Sequence, residues 1–172
     1  MKKYWKQIVF ALVLIAVLTY IVLDSKEHTF KRVDLKTSNL VLNMTDRKYL
    51  DTILVTGLNI SKIDSTAIII RDLPEGQTIG DLELRGSIFN TGKCYLIFIK
   101  KASREESIKI LSHELIHYRQ YYDKRLFIND KQVIWEGKDY SKTLIEYDKR
   151  PWEIEAFLHA DELEKKLKLK LY

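Results

Sequence analysis

Cysteine is almost missing from this chain of 172 residues: Cys94 is the single one. One thiol permits no disulfide within the chain and no cysteine-rich zinc site. It also leaves the redox compartment unread. Cys94 itself suits a small buried apolar position better than a ligand position. Internal repeats and low-complexity segments are absent too, which leaves room for one domain and an appendage. At this length a core forms without disulfide support. Acidic residues are missing before Asp24, where Lys2, Lys3 and Lys6 stand alone. Setting those three aside leaves 26 basic against 24 acidic residues, so a net charge of +5 falls to about +2 for the rest. A near-neutral body lacks the concentrated basic face of a nucleic-acid partner, and none is expected.

The uncharged, almost wholly apolar run is residues 7–23, QIVFALVLIAVLTYIVL. Its length sits at the low end for a membrane-spanning helix and above the usual core of a signal peptide. No small-x-small cleavage site follows it. Trp5 and Tyr20 can mark the two interfaces. Residues 1–23 therefore read as an uncleaved signal anchor, with a cleaved peptide as the alternative. The acid-free flank favours an inside N-terminus and a main domain outside the cytoplasm, although Lys26, Lys31 and Arg32 follow the run. Residues 24–38 read as a polar tether and 39–172 as the folded domain.

Within that domain, Thr45, Lys48, Tyr49, Leu50 and Ile53 suggest a helix start with an apolar stripe. The β-branched segment 66–71, TAIIIR, predicts a strand ending at the turn Asp72-Leu73-Pro74-Glu75-Gly76. Short strands are expected over 82–85 and 94–100, and a strand or hairpin over 127–138. Ser103-Arg104-Glu105-Glu106 forms a capping box that opens a helix running to about Tyr122. Pro151 suits the first turn of a last helix, broadly 152–169.

The capped helix carries His113-Glu114-Leu115-Ile116-His117, an H-E-x-x-H pattern. Histidines four apart lie on one helix face and can hold one metal ion together. Glu114 is turned about 100° away and can reach a water on that metal. Ile108, Leu111, Leu115, Tyr118 and Tyr122 cluster roughly opposite the histidines, so one face should pack and the other present the site. A catalytic zinc usually takes three protein ligands and one water. Glu153, Glu155 and His159 on the last helix are the candidates for the third. Glu153 shares the face of Ala156, Ala160, Leu163 and Leu167, and an inward carboxylate needs a partner. Glu155 groups with His159, Glu162 and Lys166 on the polar face. Helix phase thus favours Glu153 and leaves Glu155 and His159 as alternatives.

The HELIH helix followed by Glu153-Ile154-Glu155-Ala156 on a later helix resembles the gluzincin branch of zinc metallopeptidases. The resemblance spans about residues 95–163. It implies an α+β, zincin-like domain with a small mixed sheet, zinc on His113, His117 and Glu153, and Glu114 as general base. Two departures stand out. Phe157 occupies the position four after Glu153, often an acid in that family. No Gly-x-x-His follows His117, which excludes the metzincin pattern.

The activity implied is hydrolysis of a peptide or protein substrate by a zinc-activated water, in a membrane-anchored enzyme. Its alternative is a non-catalytic zinc-binding interaction module. His159, Tyr140 and Tyr147 are candidates to stabilise an oxyanion, and Gln120 projects near the ligand face. The segment 94–100 resembles the family's edge strand, which pairs with extended peptides. Trp135 to Tyr140 reads as pocket wall or hairpin, and the lysine-rich end, 165–170, as a solvated helix end.

Overall fold

A computed structural model describes residues 40–63, 67–79, 82–129 and 131–172. The expected anchor and tether, with His28, lie outside the described residues. Among the described residues no helix is long and apolar enough to cross a membrane. The described residues form a mixed α+β fold with three helices and small sheets.

The central sheet begins with β1 (Leu40–Asn43) and β2 (Ala67–Asp72), which run parallel. Helix α1 (Tyr49–Ile60) connects them. Two short antiparallel pieces follow, β3 (Thr78–Ile79) and β4 (Leu82–Glu83). β5 (Gly86–Asn90) and β6 (Tyr95–Ile99) complete the main sheet in the order β1-β2-β6-β5. β6 is parallel to β2 and antiparallel to β5. The expected edge strand over 94–100 is therefore interior, and β5 takes the edge. Both neighbours of β6 hydrogen-bond to it, which suits its continuous apolar run.

Alternation along the strands selects the core face. Ile70, Ile97 and Ile88 line up across three strands and are buried. Helix α2 (Arg104–Tyr122) packs behind them through Ile108, Leu111, Leu115 and Tyr118. Each such side chain contributes about 1.5–3 kcal/mol by leaving water. Tyr122, expected among them, lies 43% exposed at the helix end. Gly57 brings α1 close to α2: a Cβ there would sit 2.3 Å from Leu115 Cδ1.

Arg47 ties the start of α1 to the sheet. Its guanidinium pairs with Asp72 at 2.5 Å and donates to the carbonyl oxygens of Ile99 and Lys100. The far end of the domain is a three-stranded meander: β7 (Leu126–Ile128), β8 (Val133–Trp135) and β9 (Lys138–Asp139). Glu136 and Gly137 both have positive φ, 49° and 78°, as a two-residue hairpin turn requires. A 3₁₀ turn, Tyr147–Lys149, leads into the last helix, α3 (Pro151–Leu171).

Candidate metal centre

The site begins at the cap of α2. Ser103 Oγ accepts a hydrogen bond from the Glu106 backbone N–H at 3.2 Å, and Glu105 and Glu106 fill the first turn. The cap and acidic first turn fix where the helix starts and hence its phase. Ten residues on, His113 and His117 emerge on one face. Helix α3 starts with Pro151 at its first turn and lies against that face. Its inward residues are Glu153, Ala156, Ala160, Leu163 and Leu167, all buried. The two alanines let the helices approach closely at the level of the histidines.

This packing brings three side chains from two helices to one point. His117 Nε2 lies 3.1 Å from His113 Nε2 and 3.1 Å from Glu153 Oε2. His113 Nε2 lies 3.3 Å from the same carboxylate oxygen. A tetrahedral metal with ligands near 2.0–2.1 Å separates neighbouring donors by about 3.3 Å. His113, His117 and Glu153 thus form a group that could hold a metal ion. The donor set, two imidazoles and one carboxylate, suits a borderline cation.

Electrostatics tie the group together. Burial pushes the Glu153 carboxyl up, but hydrogen bonds from His113, His117 and Tyr147 prevail and bring it to about 2. Burial likewise works against a charged His117, and the Glu153 carboxylate outweighs it, so the imidazole is raised. Gln120 adds to that. Its Oε1 lies 2.9 Å from His117 Nδ1, and its Nε2 donates to the Trp152 carbonyl oxygen at 2.9 Å.

Glu114 stands in a different setting. It is 4% exposed, and its Oε2 has no hydrogen-bond partner among the described residues. Burial raises its carboxyl, only partly offset by His117 and His113. Its other oxygen faces β5. A Cβ added to Gly86 would lie 2.7 Å from Glu114 Oε1 and 2.6 Å from Ile110 Cγ2. Sequence reasoning passed over Gly86, although a glycine opening a strand signals close approach of something else.

A cleft of about 360 Å³ opens beside these groups. It is lined by His113 and Glu114, by Leu84, Arg85 and Gly86, and by Phe157 and Ala160 of α3. The Phe157 ring, four residues after Glu153, sits 4.7 Å from the His113 ring. Tyr147 also lines the cleft, and burial together with the Glu153 charge raises its phenol.

The other candidates separate cleanly. Glu155 accepts two hydrogen bonds from Arg125, at 2.8 and 2.6 Å, and so is engaged away from the histidines. Arg125 also reaches Glu136 and stacks over Trp135, which fastens the meander to α3. His159 is exposed on the outer face of α3. Tyr140 packs on Trp152, with ring centroids 5.8 Å apart, and Trp135 is buried beside the same ring. The lysines of 165–170 lie on the outer side of the end of α3, where Lys166 and Lys168 pair with Glu162 and Glu164, while Leu167 is buried. Neither family models, nor curated proteins, nor solved structures yield a significant match to this chain.

Proposed function

We propose that this chain is a zinc-dependent metallopeptidase of zincin-like, gluzincin type, anchored to a membrane by residues 1–23. One observation carries the reading. Three metal donors converge at tetrahedral spacing, one of them, His113, lining an open cleft, and the cleft is also lined by the buried Glu114, whose Oε2 has no hydrogen-bond partner among the described residues. A bound zinc supplies Lewis acidity and lowers the pKa of a coordinated water. His113, His117 and Glu153 are the residues that would hold it, leaving the cleft side for water and substrate.

Glu114 is the general base. Its raised carboxyl, and an Oε2 without a partner among the described residues, suit it to take a proton from water and hand it to the leaving amine. Tyr147 lines the cleft, and by turning its O–H from Glu153 it would donate to a developing oxyanion. The β5 edge meets the same cleft at Gly86. An extended peptide added there as a further strand would lie beside His113 and Glu114. Such a chain would act on peptides or proteins outside the cytoplasm.

A purely structural zinc module has no use for a buried Glu114 whose Oε2 lacks a partner among the described residues, and burying such a group is unfavourable. The test is direct. The full-length protein in detergent micelles is loaded with zinc, its metal content measured, and its hydrolysis of a peptide library compared with that of Glu114→Gln. The expected result is about one zinc per chain in both proteins and hydrolysis reduced at least about a hundredfold in the variant. Equal hydrolysis by the two proteins overturns the reading.

A further inference from the structure

Gln120 is fully buried, at 0% exposure, on the helix face that carries the two histidines. A buried amide with two donors and one acceptor is unfavourable unless its hydrogen bonds are made. Both of its interactions lie at the metal centre. Nε2 faces the Trp152 carbonyl oxygen at 2.9 Å, and Oε1 faces His117 Nδ1 at 2.9 Å. The Trp152 oxygen can only accept, so it fixes which end of the amide is NH₂. The carbonyl end of Gln120 therefore meets His117, and a carbonyl oxygen can only accept as well. His117 must therefore carry a proton on Nδ1, and when the ring is neutral it is the Nε2 lone pair that faces Glu153 and His113.

We propose that Gln120 is a positioning residue that holds His117 in the Nδ1–H tautomer and couples it to the backbone one residue before Glu153. The inference rests on the metal-site reading above. Trp152 precedes Glu153 directly, so a single amide links a ligand on α2 to the start of the turn that presents the ligand on α3. His113 has no counterpart: its ring is placed by Phe157 at 4.7 Å, and among the described residues only His117 and Glu153 pair with its polar atoms. The two histidines are thus held by different means, one by a hydrogen bond and one by ring packing. Residues that orient a ligating histidine typically govern metal affinity by 10–100-fold when replaced.

The test uses the full-length chain in detergent micelles and two variants. Gln120→Met keeps the size of the side chain and removes both hydrogen bonds. Gln120→Glu keeps an acceptor toward His117 Nδ1 and disturbs the contact to Trp152. Zinc affinity is read by competition with a chelator, thermal stability by circular dichroism, and the His117 Nδ1–H proton by ¹H–¹⁵N NMR of the zinc-loaded protein. Zinc affinity should fall about 10–100-fold in Gln120→Met and stay within about threefold of wild type in Gln120→Glu. The Nδ1–H resonance should be protected from exchange in wild type and Gln120→Glu and lost in Gln120→Met. Affinities that simply follow the loss of melting temperature in both variants would show a packing role and overturn the proposal. Equal affinity of wild type and Gln120→Met overturns it alone, whereas a wild-type chain that takes up no zinc removes the metal reading as well.

Discussion

Glu114 is unfavourable for the fold on its own. Its carboxyl is raised by burial, so the protonated form is the one the interior tolerates. Below the ordinary glutamate range both folded and unfolded chains hold the proton, and the group is neutral in its effect. As the pH rises past that range, the unfolded chain ionises freely while the folded one resists, and stability is lost. In chelator, Glu114→Gln should therefore melt at a higher temperature than wild type at pH 7. The two should converge near pH 4. Thermal melts at the two pH values check this, and a variant less stable than wild type at pH 7 would contradict it. A residue kept where it weakens the fold is what a catalytic base looks like in energetic terms. Glu153 behaves in the opposite way. Its carboxyl is held near 2 by the histidines and Tyr147, so its contribution is present above the ordinary glutamate range and fades as the pH falls toward 2. Replacing it with glutamine should abolish stoichiometric zinc uptake, measured by metal analysis after gel filtration.

At the scale of elements, β5 and the two helices set the geometry that the residues use. Gly86 lets the β5 edge lie against Glu114 and Ile110, where a Cβ would come within 2.7 and 2.6 Å. Gly86→Ala must displace the Glu114 side chain or the strand. We expect destabilisation of about 1–3 kcal/mol from overpacking, with zinc content unchanged and peptide hydrolysis reduced; urea denaturation and metal analysis separate the two effects. Much of this architecture was legible beforehand. The Ser103 cap, the Pro151 start and the phase of Glu153 are local signals, and the helices they predict are present. What was not legible depends on tertiary partners. β1 is a four-residue strand with no alternation to mark it, and its existence follows from pairing with β2. The interior place of β6 is a matter of strand order, which local pattern does not encode. Helix phase put Gln120 on the histidine face, but its burial comes from α3 settling over that face. Tyr122 failed as a core residue because α2 outlasts the surface it packs on.

At the scale of the whole domain, the centre joins α2 to α3 through charges that metal and protons compete for. In the metal-free state Glu153 partners a His117 whose imidazole is raised. That contribution is fully present below the ordinary histidine range, near pH 6.5. It is lost as the pH rises through the folded value. Glu114 adds a loss in the same direction, while Glu153, held near 2, is constant above about pH 5. The metal-free domain should therefore weaken as the pH rises from 5.5 to 8. Zinc works the other way, because it needs His117 neutral and binding displaces the proton. Bound metal stabilises the fold by RT ln(1 + [L]/Kd), about 2.7 kcal/mol at a hundredfold excess over Kd. The difference in melting temperature between zinc-loaded and chelated protein should then widen steadily from pH 5.5 to pH 8. Paired melts in zinc and in chelator across that range measure it. A gap that stays level or narrows with rising pH would mean that His117 does not give up a proton to the metal, and that zinc sits elsewhere on the chain.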